Sequence, residues 1–394
     1  MNISKNSLEI AIIGGNISGL ASAYYLSKKG FHPIIYEPKI WNKPCGGAIS
    51  LEFNHFLQNE LGIFLEESDT HVPRMKVGLW SGRHVDVEGV FTVTTRLDLQ
   101  RKIVEHLKKD SNISFIEKQV KISDFDLFTP QTIVASGFTG FTHKILDKKW
   151  KFRDRAQILR FDGEIKEKEH PNAHLIVLDN KMVGYGWVFI GKNNHINIGL
   201  GGVGSTEFVW KRYYDFFNLL EKKYKYFFNP ADAKPQGWGL PIPINKWSYP
   251  VSNIKENIEF IGVGDALGLA HPILGAGIEP AWQSGWILSE SFSQSIGKID
   301  TKKYKSLLKR NKALSSGRRL DHFLAHTMRN RFIPMKDKFG YLALKMFMNH
   351  MIEKMREYPW FALVDDGKRK TGYTIPLTPS PSKIGMNKEV SINQ

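Results

Sequence analysis

The chain has 394 residues, 42% hydrophobic and 24% charged, the balance of a soluble globular protein large enough for two ordinary domains. Its single cysteine, Cys45, excludes an internal disulfide and a cysteine-based zinc site, and no apolar run approaches the ~18 residues of a membrane span. No secretory leader is recognisable, so a cytoplasmic location is expected, and a net charge of +16 calls for an acidic partner, either nucleic acid or an anionic membrane face.

The chain opens as strand, Gly-rich turn, helix and strand. The apolar run Ile10-Ala11-Ile12-Ile13 leads into Gly14-Gly15-Asn16-Ile17-Ser18-Gly19, a helix is predicted from Leu20 to Lys29, and Pro33 to Glu37 reads as a second strand. Alternating segments follow from Met75 to Thr94, then a helix from Arg96 to Lys109, then an apolar strand at 132–135 that runs into Ser136-Gly137. From about Trp150 to Ile244 the pattern is β, with strands at 173–178, 186–190 and 195–199 and one amphipathic helix near Glu207–Tyr226. A further strand, 258–263, ends at Gly264-Asp265, and a Gly-rich run precedes a helix from about Gly277 to Ser293.

A Gly-rich turn between a buried strand and a helix presents backbone N–H groups and a helix dipole to a pyrophosphate. An acidic residue ending the next strand takes ribose hydroxyls. Gly14 and Gly19 hold the outer glycine positions, Glu37 the carboxylate, and Gly15, Ser18 and Pro38 flank them. Asn16 replaces the middle glycine, where a side chain costs room, although Asn tolerates left-handed backbone better than most residues. An ordinary tight turn has the same glycines, and the strand before it with Glu37 after it favours the dinucleotide reading. The second motif, Gly264-Asp265-Ala266-Leu267-Gly268, continues through Pro272, Gly275, Ala276, Gly277 and Ile278 and supplies a second strand-end carboxylate and helix N-terminus.

The two motifs together resemble the FAD-dependent superfamily typified by para-hydroxybenzoate hydroxylase, and three further features resemble its geranylgeranyl reductase family. They are Pro44-Cys45-Gly46-Gly47, the helix start Arg96 to Asp98, and Tyr185-Gly186-Trp187-Val188-Phe189 ending at Gly199-Leu200-Gly201. The last is the most specific, since the family pattern is Tyr-x-Trp-x-Phe-Pro followed by Gly-x-Gly. The chain departs from the pattern at Ile190, where the family has Pro, at Ser136, where the superfamily has Asp, and at Ala276, where an acidic residue is common. The resemblance covers roughly residues 8–290.

The resemblance implies an α/β fold: a Rossmann-type FAD-binding domain with an inserted antiparallel β-sheet substrate domain and a helical C-terminal region. The expected boundaries are 1–74, 95–149 and 246–300 for the FAD domain, 75–94 and 150–245 for the sheet domain, 301–375 for the basic helical region and 376–394 for a tail without periodicity. FAD contacts are expected from Gly14, Gly15, Asn16, Ser18, Gly19, Glu37, Pro38, Arg96 and Gly137, and, nearer the ring, from Cys45, Gly46, Gly264, Asp265, Gly275, Ala276, Gly277 and Ile278. Cys45, Gly46, Gly47, Tyr185 and Trp187 are the candidate catalytic residues. Tyr185, Trp187 and Phe189 alternate, so on a strand they share a face that either lines a slot for a polyprenyl chain or packs on the sheet's own core. With His271 and Pro272 they form the candidate substrate site; His271 is either a solvated loop histidine or a proton donor.

The activity implied is FAD-dependent saturation of C=C bonds in a polyprenyl (geranylgeranyl) chain of a lipid or isoprenoid precursor. Electrons would come from NAD(P)H or from an electron carrier such as reduced ferredoxin. The alternatives are a flavin monooxygenase or halogenase, because Gly184 to Ile190 is also similar to a halogenase string, and a non-catalytic lipid-binding relative. Residues 301–370 hold 18 Lys and Arg against 6 Asp and Glu, with aromatic and Met residues interspersed, which suits peripheral contact with an anionic membrane. No nucleic-acid reader motif accompanies the charge.

Overall fold

The computed structural model describes residues 9–39, 43–65, 74–88, 91–147, 155–164, 173–191, 195–226, 235–242, 250–271, 274–293, 297–311 and 314, with two short strands at 364–365 and 368–369. Pro272, most of the basic C-terminal region and the tail lie outside the described residues.

The first unit is the βαβ arrangement expected from the opening sequence. β1 (Glu9–Ile13) buries every residue after Glu9, as a central parallel strand covered on both faces must. It leads through the glycine turn to α1 (Ile17–Ser27) and returns at β2 (His32–Tyr36), pairing in parallel with Ile12 opposite Ile35. β3 (Ala48–Ser50) then feeds α2 (Leu51–Leu61), capped by the Ser50 hydroxyl on the Phe53 N–H and closed by Gly62 in left-handed conformation. β4 (Arg74–Leu79) and β5 (His84–Glu88) form a hairpin, and β6 (Phe91–Val93) turns back to pair with β3.

α3 (Arg96–Leu107) is capped by Thr95, and β7 (Ser114–Ile116) and β8 (Gln131–Val134) extend the parallel sheet before the short α4 (Gly140–Ile145). The chain then crosses to a second sheet: β9 (Arg155–Glu164), β10 (His174–Leu178), β11 (Val183–Ile190), β12 (His195–Val203), α5 (Thr206–Leu219) and β13 (Gln236–Pro241). It returns through β14 (Ser252–Lys255) and β15 (Ile258–Gly262) to α6 (Ile278–Glu290) and α7 (Thr301–Arg310).

Two sheets result. The first has the order β14-β15-β8-β1-β2-β7, parallel except for β14 at its edge. α1 and α6 pack closely on each other, because Gly285 lets the helix backbones approach: a Cβ there would lie 2.6 Å from the Ser22 nitrogen. The second has the order β13-β9-β12-β11-β10-β4-β5. Its pairs are antiparallel as expected except at β10 and β4, which run parallel because the first-sheet segments α3 to β8 intervene between them. One face of this sheet buries Val188, Ile198 and Leu200 against Val209, Tyr213 and Phe216 of α5. The other face carries Tyr185, Trp187 and Phe189 and meets the loop before β3.

Candidate functional site

The turn from β1 to α1 admits only glycine at its two ends. Gly14 has φ +109°, and a Cβ there would lie 2.6 Å from the Ala135 carbonyl oxygen. At Gly19 a Cβ would overlap the Gly14 carbonyl. Gly15 donates its N–H to the Glu37 carboxylate and accepts at its carbonyl from Gln100 Nε2 at 2.6 Å. Asn16 turns its amide into the fold: Oδ1 accepts from the Ser18 N–H at 3.0 Å and the Ser18 hydroxyl at 2.8 Å, while Nδ2 donates to the Ala135 carbonyl. The residue that replaces the middle glycine thus serves as the α1 cap. Pro38, one residue past Glu37, is exposed.

Arg96 opens α3 beside this turn, 6% exposed, and donates to Gln100 Oε1 at 3.0 Å. Burial pulls its guanidinium pKa down, and the nearby carboxylates of Asp265 and Glu37 oppose that shift. Through Gln100, which binds the Gly15 carbonyl, Arg96 reaches the first turn, and it also walls the cavity at Cys45 and Gly46. Glu37 is pushed above the usual carboxylate range by burial, against the pull of the Gly15 N–H and Arg96.

The second motif folds as a loop over the C-terminal edge of the parallel sheet. Gly264, also in left-handed conformation, packs against Ser18 and donates to Ser284 Oγ at 2.9 Å. Asp265 Oδ2 is 2.5 Å from Lys43 Nζ. Two glycines border Asp265 at van der Waals distance: a Cβ at Gly277 would lie 3.7 Å from its Oδ1, and one at Gly137 would lie 4.0 Å from its Cβ. The turn beyond it is closed by His271, whose N–H donates to the Ala276 carbonyl, whose carbonyl accepts from the Gly275 N–H and whose Nδ1 accepts from the Leu274 N–H. At 8% exposure His271 is buried, which corrects the solvated-loop expectation; closing this turn withdraws it from water. Gly277 and Ile278 start α6, whose N-terminus receives no side-chain cap among the described residues.

Cys45, Gly46 and Gly47 bring the two sheets together. A Cβ on Gly47 would overlap the Thr94 carbonyl, and one on Gly46 would lie 2.9 Å from the Phe189 ring and 3.3 Å from Trp187 Nε1. The Cys45 Sγ accepts from the Gly47 N–H at 3.4 Å. Its carbonyl accepts from Asn197 Nδ2 at 3.1 Å and from the Arg160 guanidinium at 3.3 Å, while Asn197 Oδ1 accepts from the Trp187 indole at 2.7 Å. Asp162 holds Arg160 and Asn197 together. The three aromatics form a continuous strip, with ring centroids 5.9 and 6.2 Å apart, and Trp187 and Phe189 are each only 5% exposed. The Tyr185 hydroxyl donates to the Leu274 carbonyl, so the strip runs from the His271 turn across Gly46 to Phe91. Beside Cys45 and Gly46 a cavity of about 330 Å³ opens, walled by Thr94, Arg96, Arg160 and His195.

The structure groups the expected residues in two places, the Gly14–Gly19 turn with Glu37 and the meeting of Asp265, the Cys45 turn and the aromatic strip, with Gly264 packed on Ser18 between them and Pro38 exposed at the margin. Sequence reading missed Lys43, Gln100, Arg160, Asp162 and Asn197. Asn197 left one signal, a polar residue between Ile196 and Ile198 at an alternating position of an otherwise apolar strand.

No protein-family profile matches the chain. Two proteins named digeranylgeranylglycerophospholipid reductase, from Sulfolobus acidocaldarius and Methanococcus vannielii, are each 24% identical to it, over 72% and 75% of this chain and 68% and 79% of their own lengths. The solved structure of a geranylgeranyl bacteriochlorophyll reductase-like protein from Thermoplasma acidophilum matches with a TM-score of 0.58 at 19% identity, over 89% of this chain and 98% of that one. The chain is thus similar in sequence to proteins named for geranylgeranyl reduction and shares its fold with a structure named for the same activity. The same fold occurs in a flavin-dependent brominase, Bmp2, with a TM-score of 0.57 at 16% identity over 88% of this chain and 99% of that one, so fold alone does not distinguish reduction from halogenation.

The residues present fit FAD. Gly14 and Gly19 let the first turn close tightly, Gly137 and Gly277 put backbone and not side chains beside Asp265, and carboxylates stand at both strand ends. The α1 N-terminus and the second motif meet where Gly264 packs on Ser18. No described helix is long and apolar enough to cross a membrane.

Proposed function

We propose that this protein is an FAD-dependent reductase that saturates C=C bonds of a polyprenyl chain in a lipid or isoprenoid precursor. The observation that carries the reading is the strip Tyr185, Trp187 and Phe189 seated across Cys45-Gly46 at the far end of the glycine cradle. Trp187 and Phe189 are buried with Val93 and Phe91 behind Gly46 while Tyr185 is half-buried, so in this reading the strip is the apolar wall behind the Cys45-Gly46 turn along which a hydrocarbon chain would lie. The names of the two sequence relatives support the same substrate class.

In this reading Gly14 to Gly19 and the N-terminus of α1 hold the pyrophosphate, Glu37 takes the ribose, Arg96 and Gln100 fix the turn, and Asp265 binds the polyol chain. Bound FAD, when reduced, supplies the hydride. The chain itself excludes water with the aromatic strip and fixes the Cys45 turn through Asn197 and Arg160. The Cys45 thiol, held by the Gly47 N–H, is the group that moves a proton in this reading. NAD(P)H or a carrier such as reduced ferredoxin delivers the electrons, and the basic region beyond α7 meets the anionic membrane face where such lipids reside. The α7 helix begins that region, burying Tyr304 together with Leu308 and turning Lys302, Lys303 and Lys309 outward.

The test is anaerobic incubation of the dithionite-reduced, FAD-loaded protein with a geranylgeranyl lipid, followed by mass spectrometry. Stepwise gain of hydrogen pairs is expected. An unchanged lipid, with oxygen-dependent hydroxylation or halogenation of a test substrate, overturns the proposal in favour of the monooxygenase or halogenase reading.

A further inference from the structure

Lys43 stands two residues before Cys45, and both its ends are held from other parts of the fold. Its carbonyl accepts from the Arg160 guanidinium at 3.5 Å, and its ammonium lies 2.5 Å from Asp265 Oδ2 and 5.7 Å from the Trp238 ring centroid. The side chain is 24% exposed, so a residue that normally extends its charge into water is folded inward. An ammonium has three protons, and one carboxylate oxygen takes only part of that capacity. Beside Asp265 stand Gly137 and Gly277, where the backbone and not a side chain borders the carboxylate.

The position of this cation along the cleft follows from its partners. Glu37 and the Gly14 turn define one end. Asp265, Gly277 and Cys45 define the other, where the aromatic strip arrives, and Arg96, bonded to Gln100, walls the cavity at Cys45. Lys43 belongs to the second end. Resting on the FAD reading above, we infer that Lys43 is the cation that stabilises the negative charge a flavin ring gains when two electrons and one proton arrive from the external donor, and so raises the potential at which this protein accepts electrons. The Asp265 carboxylate offsets part of this charge, and what remains acts where little water screens it.

The test compares the FAD-loaded full chain with its Lys43→Met, Lys43→Gln and Lys43→Arg variants by dye-coupled reductive titration, with oxidised-FAD affinity from fluorescence quenching and folding from circular dichroism. In the Met and Gln variants the preference for reduced over oxidised FAD is expected to fall by about 10- to 100-fold, read as a drop of roughly 30 to 60 mV, with Arg near the parent value. An unchanged potential with weaker FAD binding would make Lys43 a phosphate contact, and one with tighter binding would make it a mere counter-ion of Asp265; either result overturns the inference. An equal drop in the Arg variant also overturns it, since packing and not charge would then be responsible. A parent protein that takes up no FAD is a different result, visible before any titration, and defeats the FAD reading itself.

Discussion

In the turn after β1, the amide of Gly15 reaches its carboxylate partner only 22 positions away at Glu37, whereas the carbonyl of Cys45 is held by Asn197 from 152 positions away. The first region takes its chain path from one βαβ unit, with two glycines, a capping Asn and a strand-end acid, and adds two distant contacts, Ala135 on Asn16 and Gln100 on Gly15. The second exists only where two sheets meet, and its polar atoms are satisfied by residues of β9 and β12. If the proposed function holds, substitutions in the first region should act mainly on cofactor uptake and those in the second mainly on turnover.

The largest expected effect lies in the second sheet. Arg212 and Asp179, 3% and 0% exposed at the side chain, pair at 2.9 Å, and the Trp80 ring covers the guanidinium at 3.9 Å. Arg212→Leu strands a buried carboxylate and is expected to lower stability by about 3 to 5 kcal/mol in urea unfolding. If flavin is released at the same urea concentration as the sheet melts, the two regions unfold as one unit. In the cradle, Gly19→Ala drives a methyl into the Gly14 carbonyl, with an expected loss of about 3 kcal/mol and a colourless purified protein.

Glu279 tests the seam between the regions. It is 5% exposed, accepts from the Ser50 N–H, and burial raises its pKa to about 7. Because the folded state favours the protonated acid, its contribution is complete below about pH 4.5 and is lost as pH rises towards about 7. Thermal melts across that window should show the parent losing about 3 kcal/mol that Glu279→Gln keeps. The smallest effect is at Asn197→Leu, expected to cost about 1 to 2 kcal/mol by leaving the Cys45 carbonyl and Trp187 indole short of partners. Lipid turnover should fall while FAD affinity holds; a matching loss of FAD affinity would erase the separation between the regions.

Much of the first region was legible because its causes are short-ranged. The strand, Gly14, Gly19 and Glu37 all lie within one βαβ unit, and the α2 and α3 caps at Ser50 and Thr95 obey the same local chemistry. The alternation of Tyr185, Trp187 and Phe189 also showed which side chains share a face. It did not show what that face meets. His271 reads as a loop residue in sequence and is buried in the fold, and nothing near Lys43 in the chain indicates Asp265 as its partner.

The amino-acid order by itself determined the glycine cradle, its acid and the facing of the aromatic strand, because backbone sterics and strand periodicity act over a few residues. Only the tertiary structure decided that Asn197 and Arg160 grip the Cys45 carbonyl and that Lys43 meets Asp265. Those contacts join segments whose approach is set by packing of the two sheets, and hydrogen-bonding side chains far apart in the chain carry no mark of one another until that packing is complete.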